Sequence, residues 1–308
     1  MRFINVHQTL STLAALAALS AGCTKNAPIA AEPPSAKPAA TSPAASAPDC
    51  RTQGAGRYAT VNGLKMYYEV HGKGRPLVLL HGALTTIESS FGKVLPALSC
   101  TRQVIAIEQQ AHGRTADINR PLSYTQMADD TAALLRQIGI QQADFYGYSM
   151  GGATALQVAV RHPALVRKLV LVSAGYNNDG MQPELAAFMS SIDPNNAPWA
   201  GALKAEFQSV APHPEQWPAP LVRVKELVAT NKGLRPEDIR GVKAQTLVVT
   251  GDRDAMTLEH TISLYRLLPK AELAVFPGTD HFPGMVNRSE WTLATVPAFL
   301  DAPIAEAK

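Results

Sequence analysis

The sequence predicts an α/β fold with a mostly parallel central sheet and helices on both faces. Three observations carry this. Short, largely apolar runs recur at residues 76–80, 104–107, 168–172 and 245–250, as in strands covered on both faces. Between them lie segments with helical spacing, such as Met127, Thr131, Leu134, Leu135 and Ile138 on one stripe. The two kinds of segment alternate along the chain, the signature of a sheet wrapped by crossover helices.

In order, residues 58–61 and 64–70 flank Asn62-Gly63, a two-residue hairpin signal. The runs at 76–80 and 104–107 follow as buried strands, and the stripe over 127–138 as a helix. Residues 142–146 form a short strand before the Ala- and Val-rich helix start at 152–160. Strands at 168–172, 245–250 and 273–276 complete the sheet, and a helix over 289–300 closes the domain. Residues 175–242 break the rhythm. They hold several prolines and scattered large apolar groups (Met181, Phe188, Met189, Trp199, Phe207, Trp217) but no clear strand. This interval is a helical lid inserted between two sheet strands, and most of these side chains are expected to form its own small core.

The N-terminus is organised differently. Met1-Arg2 precedes an apolar run at 10–19 broken only by Ser11 and Thr12, which fits the apolar region of a signal peptide. The run ends in Leu19-Ser20-Ala21-Gly22-Cys23, which resembles a bacterial lipobox, with Ser20 where Leu is usual. Residues 24–49 hold nine Ala and six Pro in 26 positions, the composition of an extended tether. The expected organisation is a signal peptide (1–22), a tether (23–49), a core (50–174 and 243–308) and a lid (175–242). Lipidation of Cys23 would anchor the chain in the bacterial cell envelope facing the periplasm; a soluble periplasmic or secreted protein is the alternative. Cys50 and Cys100 then remain, and outside the cytoplasm such a pair tends to oxidise. A bridge would contribute roughly 4 kcal/mol by the chain-entropy argument; two unpaired thiols are the alternative. The net charge is +3 in 308 residues with no dense basic run, so nucleic acid is not an expected partner. No other apolar stretch approaches the roughly 18 residues of a membrane span.

The motif with the most chemistry is Gly147-Tyr148-Ser149-Met150-Gly151. A serine between strand and helix with glycine on both sides forms a nucleophile elbow, whose turn leaves no room for side chains beside the serine backbone. Further motifs lie in register with it. They are Tyr68-Glu69-Val70-His71-Gly72 with His81-Gly82, Glu108-Gln109-Gln110-Ala111-His112-Gly113-Arg114-Thr115, Gly251-Asp252-Arg253-Asp254, and Asp280-His281-Phe282. Together, over about residues 57–301, they resemble the α/β-hydrolase superfamily, in its small cap-bearing branch of esterases, lactonases and cofactor-free haloperoxidases. Two departures stand out: Glu108 and Ala111 replace an Asp and a Gly in the second motif.

The resemblance implies a Ser-His-Asp triad: Ser149 as nucleophile, His281 as base and later acid, Asp254 as the group that holds the imidazole. Asp252 competes for the last role, but the first acid of such a turn usually accepts turn amides. Some relatives carry the acid after the sixth strand, where Ser173-Ala174-Gly175 offers no carboxylate. The backbone amides of Met150 and Ala83 are the expected oxyanion donors. His81 and His112 are read as structural, His162 as a helix-end group, His213 as a lid residue and His260 as part of the helix after the acid turn. Leu84, Tyr148 and Met150 side chains are read as packing that could also line the pocket. No H-E-x-x-H-type cluster occurs, so neither a catalytic metal nor a cofactor is implied. The expected activity is hydrolysis of small carboxylic esters or lactones through an acyl-enzyme. A cofactor-free perhydrolase using the same triad and a non-catalytic binding lipoprotein are the alternatives. Oligomeric state is not readable.

Overall fold

The computed structural model describes Cys50, residues 56–282 and residues 284–304. The signal peptide, the tether and Cys23 lie outside the described residues. Strands β1 (Gly56–Val61) and β2 (Leu64–His71) form the expected hairpin. Asn62 and Gly63 both take positive φ (47° and 79°), as a turn matched to the strand twist requires. Strands β3 (Arg75–Leu80), β4 (Arg102–Ile107), β5 (Ala143–Tyr148), β6 (Val166–Val172), β7 (Gln245–Arg253) and β8 (Ala271–Asp280) complete one eight-stranded sheet, in the order β1-β2-β4-β3-β5-β6-β7-β8. Pairing is antiparallel from β1 to β4 and parallel from there to β8. The chain leaves β3 to one side to make β4 and returns to its other side to make β5. Such a reversal opens a crevice beyond the carboxyl ends of the strands, where α/β sheets hold their ligands.

Both faces of the sheet are covered. Val78, Leu80, Ile105, Ile107, Phe145 and Leu169 face helices α3 (Tyr124–Gln137) and α4 (Met150–Arg161). Their strand neighbours Leu77, Leu79, Val104, Ala106, Tyr146 and Val170 face α1 (Ile87–Phe91), α2 (Leu95–Leu98) and the C-terminal helix (Ser289–Asp301). This alternation explains why the strands read as continuous apolar runs. At the amino ends of the strands the buried Lys168 ammonium donates to the carbonyls of Phe299 and Ala302, both at 2.6 Å. It thereby satisfies carbonyls at the end of the last helix that have no helical partner.

Cys50 and Cys100 are joined, with Cα atoms 5.0 Å apart, and the Cys50 amide bonds to the Pro96 carbonyl at 3.3 Å. The start of the domain is thus fastened beside β4.

Between β6 and β7 the chain forms α5 (Pro183–Ser191), α6 (Gly201–Val210), α7 (Pro218–Thr230) and α8 (Pro236–Arg240). Met189, Ile192, Phe207, Trp217, Leu221 and Val224 form a separate apolar cluster there. β8 extends past the apolar run at 273–276 through Pro277 and Gly278. Proline is tolerated because β8 is an edge strand, with one side free of ladder bonds. The helices α1 and α2 span four or five residues, too few for a period to show in the sequence. After α8 come α9 (Leu258–Leu267) and α10 (Gly284–Asn287), so the last helix is α11.

Candidate functional site

Four non-glycine residues at positive φ follow four successive strands: Leu84 (62°) after β3, Ala111 (65°) after β4, Ser149 (53°) after β5 and Ser173 (53°) after β6. Strain of this kind persists where the surrounding structure over-determines it, and it clusters at functional sites. All four lie at the carboxyl edge of the sheet, where the strand order reverses.

Ser149 sits between β5 and α4. A side chain on Gly147 would place its Cβ 2.2 Å from the Gly151 carbonyl oxygen, and one on Gly151 would lie 1.9 Å from the Leu80 oxygen. The two glycines are what let β5 turn into α4 against β3. Ser149 stands at the N-cap position of α4, yet its hydroxyl makes no capping bond. It lies instead 2.9 Å from His281 Nε2. His281 follows β8, and its Nδ1 lies 2.7 Å from Asp254 Oδ1. With the Nδ1 proton donated to the carboxylate, Nε2 is left as an acceptor for the serine hydroxyl.

Asp254 reaches His281 because β7 and β8 approach closely above their last regular pairs. The register slips between Gly251 and Arg253, and a Cβ on Gly251 would lie 2.0 Å from the Thr279 oxygen. The Asp254 side chain is buried while His281 is partly open to the cavity. Asp254 Oδ1 also accepts the Met256 amide at 3.0 Å, and Oδ2 accepts the Ser173 hydroxyl at 2.5 Å and Thr250 Oγ1 at 3.3 Å. Burial works to raise the Asp254 pKa. The bond and charge of His281, the Ser173 hydroxyl and the Met256 amide outweigh it and hold the carboxyl below the ordinary aspartate range. The rival, Asp252, accepts the Thr279 amide at 3.1 Å. Its pKa too is lowered, first by a bond from the Gly278 amide, and it takes no part in the Ser149–His281–Asp254 chain.

Ala83 and Met150 line the same cavity as Ser149. The turn carrying Ala83 is close, since a Cβ on Gly82 would lie 3.6 Å from Ser149 Cβ. His81 fixes that turn: its Nδ1 meets the Gly82 carbonyl at 2.7 Å and its Nε2 accepts the Gln109 amide at 3.0 Å. Burial drives its pKa down to about 3, so the ring stays neutral and can accept. His112 Nδ1 meets the Gln110 carbonyl at 2.9 Å, and burial lowers its pKa to about 4. Glu108, where the sequence departs from Asp, accepts Arg114 Nη1 at 2.8 Å and the Arg114 amide. It braces the loop that contains the strained Ala111. His162 caps the end of α4 and meets Asp129 at 2.8 Å, His213 is exposed in the insertion, and His260 stacks on Tyr176 at 4.2 Å.

Two residues gain a part that their sequence signals did not show. Ser173 occupies the position after β6 that had been noted for lacking a carboxylate, and its hydroxyl is the shortest bond to Asp254. Tyr148, buried beside Ser149, donates its hydroxyl to the His281 carbonyl at 2.7 Å. Above Ser149 a cavity of about 910 Å³ lies between the sheet edge and the inserted helices.

The alpha/beta hydrolase family matches this chain over residues 77–295. The chain is 29% identical to the 2-hydroxymuconate semialdehyde hydrolase of Pseudomonas sp. (strain CF600), over 74% of its own length and 87% of that protein's. It is 30% identical to the dihydrolipoyllysine-residue acetyltransferase component of an acetoin cleaving system from Pseudomonas putida, over 71% of this chain but only 62% of that protein. Among solved structures, a meta-cleavage product hydrolase from Pseudomonas fluorescens IP01 superposes with a TM-score of 0.67 at 21% identity, covering 80% of this chain and 98% of the other. An N-acyl homoserine lactone degrading enzyme superposes with a TM-score of 0.62 at 25% identity, covering 79% and 100%.

Proposed function

The chain belongs to the alpha/beta hydrolase family, and from that premise we propose that it cleaves small carboxylic esters or lactones through an acyl-enzyme on Ser149. One observation carries the reading. The Ser149 hydroxyl, held on a strained elbow and not spent on capping, lies 2.9 Å from a histidine nitrogen whose partner nitrogen is fixed by a buried carboxylate.

In the proposed reaction, Ser149 Oγ attacks the ester carbonyl carbon as His281 Nε2 takes its proton. Negative charge gathers on the former carbonyl oxygen, where the Met150 and Ala83 amides donate to it and the N-terminus of α4 adds partial positive charge. The imidazolium, stabilised by Asp254, returns the proton to the leaving oxygen as the C–O bond breaks. Water then attacks the acyl-enzyme with His281 again as base, releasing the acid and restoring the serine. Solved neighbours that include a lactone degrading enzyme support this chemistry. The test is steady-state hydrolysis of 4-nitrophenyl butyrate, with Ser149→Ala expected to lower kcat by about 10⁴- to 10⁶-fold. Unchanged turnover in that variant would sink the assignment. We further infer that Cys23 carries a lipid anchor in the cell envelope, supported by the pattern at residues 19–23 and the tether composition. Radiolabelled palmitate should enter the wild-type chain and not Cys23→Ser; equal incorporation in both would exclude it.

A further inference from the structure

The cavity above Ser149 is large for a small acyl group. At about 910 Å³ it stands near the top of the range for small-molecule sites, about 300–1,000 Å³. Its lid-side wall is apolar: Leu185, Phe188, Met189, Trp199, Leu203 and Val224. Phe188 and Trp199 stack edge to face at 4.7 Å and stay 37% and 42% exposed, so the cavity reaches solvent beside them.

Charge is scarce within it. Besides His281, two side chains that carry charge at neutral pH line it among the described residues, Glu206 and Lys232. Lys232 is exposed, where its charge is screened by water. Glu206 is half-buried and already accepts the Thr86 hydroxyl. No arginine lines the cavity among the described residues. The asparagines that do are bonded within the protein. Asn178 Nδ2 donates to the Val228 carbonyl at 2.7 Å, Asn231 Nδ2 donates to Asn178 Oδ1 at 2.9 Å, and Asn231 Oδ1 accepts the Gly233 amide at 3.0 Å. A carboxylate buried with its chain would therefore lose its water, meet no buried cation and share the cavity with Glu206, which makes its transfer costly.

The two ends of the ester can also be told apart. His281 gives the proton to the leaving oxygen, and the next residue, Phe282, lines the cavity at a point 47% exposed, so a leaving group there meets solvent. Ala83 and Leu84, in the turn assigned to the oxyanion, pack against the apolar cluster of the inserted helices. The acyl carbonyl is held at that turn, so the apolar volume beneath the inserted helices is assigned to the acyl side.

We propose that the site selects esters of uncharged, apolar acids and favours long alkyl chains over short ones, and that it disfavours the same chains when they end in a carboxylate. The proposal rests on the serine-hydrolase reading above and narrows its substrate class. Because the cavity opens beside Phe188 and Trp199, longer chains are tolerated rather than cut off.

The experiment uses the full chain and a series of 4-nitrophenyl esters with acyl chains of two, four, eight and ten carbons, together with the 4-nitrophenyl monoester of octanedioic acid. Burial of each added methylene corresponds to about a fourfold gain in kcat/KM when complete. The octanoyl ester should therefore exceed the acetyl ester by at least about a hundredfold. The monoester of octanedioic acid should fall at least about tenfold below the octanoyl ester, and Glu206→Gln should narrow that gap. Acetyl turnover equal to octanoyl turnover, or a carboxylate-ended ester handled as well as its neutral counterpart, would overturn the proposal while leaving the serine-hydrolase reading intact. A gap unchanged in Glu206→Gln would remove the charge-based part of it. If no ester in the series is turned over and Ser149→Ala matches the wild type, the underlying reading fails and this proposal fails with it.

Discussion

Replacing Ser173 with alanine probes how the site holds its buried carboxylate. The Ser173 hydroxyl donates to Asp254 Oδ2 at 2.5 Å inside the protein. The other donors to that oxygen, Thr250 Oγ1 at 3.3 Å and the Gly251 amide at 3.5 Å, are too long to substitute for it. A bond to an ionised group contributes about 1.5–3 kcal/mol, so Ser173→Ala should cost that much at pH 7. The fitting assay is urea unfolding of a double-mutant cycle with Asp254→Asn, which isolates the pairwise contribution. The structure requires a coupling of about 1.5–3 kcal/mol at neutral pH. The sign of its pH dependence follows from the lowered Asp254 pKa. An acid whose folded pKa is depressed contributes stability above its unfolded pKa, about 3.9, and loses it as pH falls through the folded value. The coupling should therefore shrink below about pH 4. A coupling under about 0.5 kcal/mol at pH 7, or one that grows on acidification, would refute the reasoning.

Tyr148→Phe removes the donor to the His281 carbonyl at 2.7 Å and frees the loop that carries the base. We expect kcat to fall about tenfold with little change in KM, at an approximate cost of 1 kcal/mol in stability; an unchanged kcat would show that the loop is held by other contacts. Burial depresses the pKa of His81 to about 3 and of His112 to about 4. Each stays neutral in the fold while the unfolded chain takes up a proton near pH 6.5, so their contribution to stability is complete above that pH and declines below it. Urea midpoints should fall between pH 6.5 and 4.5, and less steeply in His112→Asn; a flat profile would show that neither ring is held neutral.

The fold was legible because each buried strand had to be apolar on both sides along its middle, which left largely apolar runs at 76–80, 104–107, 168–172 and 245–250. That Ser149, His281 and Asp254 meet was legible because the backbone around them admits few residues. Gly147, Gly151 and Gly251 each stand where a Cβ would strike main chain, and such positions leave a trace in sequence. Ser173 left none: a serine after a strand has many uses, and the pairing of its hydroxyl with Asp254 exists only once residues 81 apart meet. Tyr148 is similar, since its partner is a main-chain carbonyl 133 residues away that no side-chain pattern encodes. The insertion was legible as helical but not in its division of labour. Phe207 and Trp217 turn into its own cluster while Phe188 and Trp199 turn to the cavity, and α5 and α6 each bury a single residue, Met189 and Phe207, too few to write a stripe.

The central claim is that Ser149 is an activated nucleophile, and intact-mass measurement after treatment with a fluorophosphonate tests it most directly. The account predicts one adduct per chain, none on Ser149→Ala and a strongly slowed reaction on His281→Ala. A folded wild-type protein that takes up no adduct, or one labelled equally well without Ser149, would contradict it.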